Sequence, residues 1–437
     1  MSRRLLFLGF AAVAVVTVAL TAFLISIFER QQEAKQDSYV KLVEIQENEA
    51  DPAIWGQNFP GEYEAYLRTA RTAELVNYLT EGRYGGPEPF SRLEKYPALK
   101  RLFAGYAFSV EYNEDRGHLM AIEDVTAIKR LGNDKPGTCF TCKSSNVPSM
   151  MNTLGTAQFY STPMAELLDR FQPQHAISCA DCHDSKTMAL RISRPAFAEA
   201  MARRGVDLSK ATRQEMRNFV CAQCHVEYYF EGDGKYLVFP WAQGLNIDNI
   251  EAYYDEIGFK DWDHGETKAP LVKMQHPDFE LWSTGIHARA GVGCPDCHMP
   301  YKREGSVKLT DHWIRSPLLS LNNSCTPCHR VSEDELRGRV LEIQDRTFGQ
   351  QQRAEQALLE AQDAIAAAMA RGADDKSLKE ARELQRRAAI RWDFVSAENS
   401  MGFHSPQEAM RILGEAIDYA RRAMFSASLA PAGGSTQ

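Results

Sequence analysis

The chain has 437 residues, 44% apolar and 25% charged, which excludes an intrinsically disordered or collagen-like protein. Its 50 Lys and Arg against 58 Asp and Glu give a formal net charge of −8, which argues against nonspecific nucleic-acid binding. Ten cysteines are too few for a disulfide mini-protein of this length and too many for an ordinary cytosolic enzyme.

At the N-terminus, Arg3 and Arg4 precede an uncharged, mostly apolar run from Leu5 to Phe28. As a helix this run is about 36 Å long, enough to cross a hydrocarbon core of about 30 Å. It exceeds the roughly 7–15 apolar residues of a secretory signal, and no clear A-x-A cleavage pattern follows. The positive flank places the N-terminus inside and the remainder outside. The expectation is an uncleaved signal-anchor and linker over residues 1–37, holding a periplasmic protein on the cytoplasmic membrane. The alternative is a cleaved signal and a soluble periplasmic protein. The abrupt polarity of Glu29 to Asp37 argues against a buried core helix. Residues 38–105 mix helix and loop signals, with Trp55, a turn at Pro60-Gly61 and a break at Gly85-Gly86-Pro87.

From about residue 106 to 330 the chain is rich in Gly, Pro and aromatic breaks. Every cysteine here belongs to a C-x-x-C pair: Cys139/Cys142, Cys179/Cys182, Cys221/Cys224, Cys294/Cys297 and Cys325/Cys328. Four pairs are followed at once by His183, His225, His298 and His329, and the first by Lys143. C-x-x-C-H is the attachment signal of c-type haem. Two thiols one turn apart reach the two vinyl groups of a porphyrin edge, and the next side chain ligates iron. Structural zinc does not demand histidine after four pairs of five, and a thioredoxin-like motif occurs once rather than five times. The reading is five covalently bound haem c groups, with residues 38–330 folded around them.

After Arg330, Ser332 and Glu335 form a capping-box pattern. Leu336, Val340 and Ile343 follow at helical spacing, and the helix runs to Arg371 before Gly372. A second helix is expected over about 375–396. A third opens at Ser405, Pro406 and Glu408 and carries Met410, Leu413, Ile417 and Ala420. Residues 331–429 thus form a C-terminal helical region appended to the haem unit, its apolar stripes too long for that unit alone to cover, so that they pack either in an intramolecular bundle or at a dimer interface, and 430–437 form a flexible tail.

Four histidine-ligated haems with a second histidine above become six-coordinate electron carriers. Lys143 differs, because its amine must lose a proton to bind iron. A different proximal ligand marks that haem as different in role.

One C-x-x-C-K followed by four C-x-x-C-H resembles the pentahaem cytochrome c nitrite reductases that form ammonia. Arg116-Gly117-His118, Cys221 through Phe230, Lys273 through Pro277, Gly285-Ile286-His287 and Thr310-Asp311-His312 agree with that family. The resemblance implies a mainly α, multihaem cytochrome c fold with long C-terminal helices. It assigns His312 to the haem of His183, His118 to that of His225, His404 to that of His298 and His287 to that of His329. It leaves the Lys143 haem open, facing Arg116, Tyr228 and His276. It also implies one calcium ion held by Glu227 and Gln275 side chains with the Tyr228 and Lys273 carbonyls. His175 and His264 receive no role and are read as solvated or locally hydrogen-bonded.

The implied reaction is six-electron reduction of nitrite to ammonium, as in nitrite ammonification. The rival expectations are a pure electron-transfer cytochrome, or a related multihaem reductase of hydroxylamine or sulfite. The implied partners are a second copy of the chain, and a membrane tetrahaem quinol-oxidising cytochrome or a soluble multihaem cytochrome as electron donor.

Overall fold

The computed structural model describes residues 3–33, 41–70, 90–132, 135–305 and 307–432. The Gly85-Gly86-Pro87 break lies outside them. A 31-residue helix, Arg3–Glu33, carries the apolar run, and its segment Phe7–Phe28 is long and apolar enough to cross a membrane. Its side chains stand free of the rest of the protein: Phe7, Phe10 and Val18 are all exposed.

Pro60 and Gly61 do not form the expected turn. Phe59 breaks the chain between helices Pro52–Asn58 and Pro60–Leu67, and Pro60 takes the first helical position, where its missing N–H is no loss. From there to residue 324 the described helices are short, none longer than the ten residues of Arg213–Ala222 and Ile247–Glu256. Three antiparallel hairpins interrupt them. Tyr229–Glu231 pairs with Tyr236–Val238, Trp262–Asp263 with Pro270–Leu271, and Tyr301–Glu304 with Val307–Thr310.

Three long helices follow. Glu333–Ala370 begins where the Ser332 hydroxyl accepts from the Glu335 amide at 3.2 Å, and ends before Gly372, whose φ of 87° favours glycine. The second, Lys379–Ala397, starts later than expected. Asp374 diverts the chain into a turn first: its carboxylate accepts from the Ser377 amide at 2.8 Å and its carbonyl from the Ser377 hydroxyl at 2.9 Å. The third is Pro406–Leu429. Ser405 makes no side-chain capping bond there, and Glu408 instead pairs with Arg411 at 2.6 Å.

One hydrophobic core spans both sides of residue 330. Leu99, Phe103, Ile250 and Leu271 belong to the same buried cluster as Leu358, Trp392, Val395 and Leu413. The long helices are therefore part of the main core as well as a separate face. Their mutual contacts are made by small side chains: Ala354, Ala361, Ala388, Ala416 and Ala420 have no exposed surface. Such close approach leaves no room for added methylenes. Ala416→Leu is expected to destabilise the haem-loaded protein by about 1–3 kcal/mol in denaturant unfolding. Met410→Leu, on the exposed side of the same helix, should stay within about 0.5 kcal/mol of the parent.

Candidate active site

Each cysteine pair sits on a helical turn. Cys179–Cys182 and Cys294–His298 are short helices, Cys139 lies in the 3-10 turn Gly137–Phe140, and Cys221 is near the end of Arg213–Ala222. Two motifs carry their own turn-forming carboxylate. Asp181 accepts from the Ser178 amide at 2.8 Å and Asp296 from the Gly293 amide at 2.7 Å, each capping the turn that presents the thiols.

Buried polar side chains then lock one motif to the next. Arg194 has no exposed side-chain surface. It bonds Asp181 at 2.6 Å, the Thr141 carbonyl at 2.6 Å and the Ser144 carbonyl at 3.0 Å, joining the first motif to the second. Gln223, inside the third motif, accepts from the Ser193 and Arg194 amides and donates to the Asp181 carbonyl. Asn218 accepts from the Cys294 amide at 2.9 Å, and Arg217 pairs with Asp296 at 2.5 Å, joining the third to the fourth.

All ten cysteines line one large cavity of about 3390 Å³, partly open to solvent. That is several times the roughly 300–1,000 Å³ of a single small-molecule pocket, which suits several large cofactors in mutual contact. None of the ten thiols is in a disulfide. Cys142 Sγ lies 4.0 Å from the Gln223 carbonyl inside the third motif, and the Cys294 amide bonds Asn218 on the helix that ends at the third motif. The third motif therefore lies between the first and the fourth.

Four imidazole pairs face one another across this cavity. Ring centres are 6.4 Å apart for His183 and His312, 6.3 Å for His118 and His225, 6.3 Å for His298 and His404, and 6.2 Å for His287 and His329. Two metal–nitrogen bonds of about 2 Å, plus about 1 Å from each nitrogen to its ring centre, sum to about 6 Å. The residues thus fit an iron held between each pair. Distance alone does not choose at one point, since His276 also lies 6.1 Å from His225. The outer ring nitrogens are tied back. Nδ1 of His183 contacts the Met188 carbonyl at 3.0 Å, that of His298 the Arg315 carbonyl at 3.0 Å, and that of His312 the Thr310 carbonyl at 2.9 Å. Nδ1 of His225 meets Asp278 at 3.1 Å and that of His404 meets Glu398 at 2.5 Å. Such partners fix the ring and leave Nε2 for a metal.

Lys143 has no imidazole in its place. Its Nζ lies 3.3 Å from Asp115 Oδ2, and both side chains face the cavity. Asp115 is the main influence holding the amine above its ordinary pKa, against the opposing effect of burial. A neutral amine on a metal keeps two N–H groups, so Asp115 can accept from one of them. Tyr228 and His276 are in edge contact at 5.5 Å and line the same cavity. Burial pushes the His276 imidazole down to about 4, and its buried Nδ1 has no hydrogen-bond partner. Burial also raises the Tyr228 hydroxyl well above its ordinary value.

Arg116 does not present a free cation to this site. Its guanidinium bonds Asp124 at 2.6 Å and Glu123 at 3.0 Å, so two carboxylates offset its charge. Arg130 lies nearer the Lys143 motif, and its charge acts on both Asp115 and Cys139. Its guanidinium packs 4.1 Å over the Phe108 ring, and its Nε is buried without a hydrogen-bond partner. The sequence offered a clue: Glu123 and Asp124 follow Arg116 as ready partners, whereas Arg130 stands shortly before Cys139.

Three of the expected calcium donors, Glu227, Gln275 and Lys273, are neighbours. Glu227 is fully buried, accepting from the Gln275 amide at 2.6 Å and the Tyr254 hydroxyl at 2.8 Å. Burial pushes its pKa well up, so a cation there would offset a costly anion. The Gln275 side-chain amide lies 3.2 Å from the Lys273 carbonyl, and the Lys273 amine points away to Asp393 at 3.0 Å. These oxygen donors fit a hard cation. His264 is buried rather than solvated. Its Nε2 meets the Arg101 carbonyl at 2.8 Å, and its Nδ1 meets the Thr267 hydroxyl at 3.2 Å. His175 is half-buried and does not line the large cavity.

Five C-x-x-C turns around one cavity, with paired imidazoles across it, define a multihaem c-type cytochrome. The family model for cytochrome c552 matches residues 51–436. The chain belongs to the cytochrome c552 family. It is 46% identical over 431 residues to cytochrome c-552 of Bacteroides fragilis, covering 97% of this chain and 85% of that one. It is 38% identical over 418 residues to cytochrome c-552 of Desulfotalea psychrophila, covering 90% and 78%. Among solved structures it resembles the catalytic subunit of cytochrome c nitrite reductase from Desulfovibrio desulfuricans, in which two calcium sites are described. That match has TM-score 0.83 and 34% identity over 89% of this chain and 88% of that one.

Arg194→Met would leave Asp181 buried and unpaired. The expected loss is about 3–5 kcal/mol, with fewer haems attached per chain by intact mass. Arg194→Lys should retain more haem than Arg194→Met.

Proposed function

We propose that the chain is the catalytic subunit of an ammonia-forming nitrite reductase, reducing nitrite with six electrons and eight protons at the haem ligated by Lys143. The observation that carries this reading is the contrast among the five motifs. Four offer an imidazole facing another imidazole, and the fifth offers the Lys143 amine beside Arg130, Tyr228 and His276. Similarity to the Desulfovibrio nitrite reductase supports the same reading.

Cys139, Cys142, Cys179, Cys182, Cys221, Cys224, Cys294, Cys297, Cys325 and Cys328 would hold five haems. His183 with His312, His225 with His118, His298 with His404 and His329 with His287 would ligate four irons. When bound, these groups supply electron storage and transfer and the metal centre at which nitrite is reduced. The protein supplies the rest. Arg130, rather than Arg116, draws the anion into the cavity and donates directional hydrogen bonds to its oxygens. His276, neutral and with a free Nδ1, can accept a proton or donate one to departing oxygen. The Tyr228 hydroxyl donates a hydrogen bond without ionising. Glu227, Gln275 and the Tyr228 and Lys273 carbonyls would hold calcium, which fixes Tyr228 and His276 and adds positive potential.

The exposed apolar helix Phe7–Phe28 supports a periplasmic enzyme anchored in the cytoplasmic membrane. Anchoring favours a membrane tetrahaem quinol-oxidising donor over a soluble cytochrome. Exposed Met424, Phe425 and Leu429 on the last helix support a homodimer through the 331–429 region, with 38–330 as the haem unit.

Haem-loaded enzyme with reduced viologen dye is expected to convert nitrite to ammonium. Absence of ammonium from a preparation carrying five haems would overturn the assignment. A high-spin haem signal in the oxidised enzyme separates this reading from a pure electron-transfer cytochrome, whose irons are all six-coordinate. Lys143→His should keep five haems but change turnover and the potential of the active haem. Arg130→Ala should raise KM for nitrite roughly tenfold or more, the scale of one charge-assisted hydrogen bond. Arg116→Ala should leave KM close to the parent value.

A further inference from the structure

The imidazoles facing the cavity do not have equivalent outer partners. His183, His298 and His312 place Nδ1 against backbone carbonyls, which are neutral acceptors. His225 and His404 place Nδ1 against the carboxylates of Asp278 and Glu398. Both carboxylates are almost wholly buried, at 8% and 2% exposure, so water screens them little.

The two carboxylates form one connected unit. Asn399 donates its backbone amide to Asp278 Oδ1 at 2.8 Å and its side-chain amide to Oδ2 at 3.0 Å. Glu398 is its chain neighbour, and Glu398 also accepts from the Ser400 hydroxyl at 2.8 Å and the Ser400 amide at 3.1 Å. Ligand atoms of Asp278, Glu398 and His404 lie within 4.8 Å of one another. Both imidazoles belong to consecutive positions in the molecule. His225 follows the third motif and His404 faces the imidazole of the fourth, and these motifs are joined where Asn218 accepts from the Cys294 amide at 2.9 Å.

We propose that Asp278 and Glu398 are positioning residues that lower the reduction potentials of the two central haems, those attached at Cys221/Cys224 and Cys294/Cys297. The inference rests on the axial pairing given above. An anion against a ligating imidazole, hydrogen-bonded at His225 and in charge contact without hydrogen-bond alignment at His404, increases electron donation to iron and stabilises the ferric state, which carries one more positive charge than the ferrous state. A neutral carbonyl does this less, because charge-assisted hydrogen bonds are about twice as strong as neutral ones. The third motif adjoins the first, the Cys142 sulfur lying 4.0 Å from the Gln223 carbonyl. The haem of lowered potential at the third motif would thus stand next to the Lys143 site.

The test is potentiometric titration of the five-haem enzyme, with each haem followed by its optical and electron paramagnetic resonance signals. Asp278→Asn keeps an oxygen that can accept from His225 Nδ1 and removes the charge. It is expected to shift the one-electron equilibrium of one low-spin haem toward the ferrous form by about tenfold, which is 59 mV. Glu398→Gln should do the same to a different low-spin haem. Asp278→Glu, which restores the anion, should return the first haem to within about threefold of the parent. The proposal is overturned if neither neutral variant moves a low-spin haem by more than threefold, or if Asp278→Glu shifts it as far as Asp278→Asn. Should Asp278→Asn load fewer than five haems, Glu398→Gln alone decides by the same threefold limit. Failure of the underlying pairing has a separate signature. The unmodified enzyme would then show fewer than four bis-histidine low-spin signals, whereas four such signals with unmoved potentials would reject only the proposal.

Discussion

Four imidazole pairs, each with ring centres 6.2–6.4 Å apart, are the constraint on which the rest of the structure depends. Each pair joins residues from distant parts of the chain, as His183 with His312 and His298 with His404. A long helix places side chains along a single line, so it cannot bring such scattered rings together on opposite sides of a planar group. Short helices joined by turns can. This explains why the described helices between residues 52 and 324 stop at ten residues and why the hairpins are small. The large cavity takes the place of an ordinary core in this part of the chain, and the walls must be held by something other than apolar packing across it.

Buried polar side chains meet that need. Arg194, Gln223 and Asn218 each bond backbone groups of at least one cysteine turn and a neighbouring segment. The helices after residue 330 supply the conventional half of the stability, through alanine-rich contacts that merge with Leu99, Phe103 and Leu271 in one cluster. Gly285 shows how tightly the two halves meet. A Cβ there would lie 2.1 Å from the His404 carbonyl, so only glycine lets the segment before His287 pass the segment carrying His404. Two imidazoles of different pairs are thereby held by one backbone crossing.

Much of this was legible in the residues. Cysteine spacing announced the turns, and Ser332 and Gly372 bounded the first long helix as local capping chemistry requires. What escaped was set by contacts distant in sequence or by competition among local partners. Asp374 captured Ser377 and delayed the second helix, and Glu408 turned to Arg411 instead of capping. The shared core across residue 330 left no local signature, because alanine at helical spacing looks alike whether it packs on its own bundle or on another part of the chain. Arg116 was the sharpest such case. A positive side chain beside His118 looked suited to an anion, but its worth depended on where Asp124 would point. Only the folded helix Ala121–Ala127 places that carboxylate against the guanidinium.

The field at each motif follows from the same partners. Burial pushes the Cys139 thiol up, while Arg130, Lys143 and Lys135 all pull it down. At Cys179, burial again dominates, but the nearby charges are the Asp181 and Glu62 carboxylates, and at Cys297 they include Asp296. A chain of net charge −8 thus gathers cations around Cys139 and places carboxylates beside Cys179 and Cys297. Anion attraction needs the former, since a buried anion gains more from a nearby fixed cation than from a distant overall charge. The capping aspartates that shape the cysteine turns at Asp181 and Asp296 therefore also set the charge beside Cys179 and Cys297.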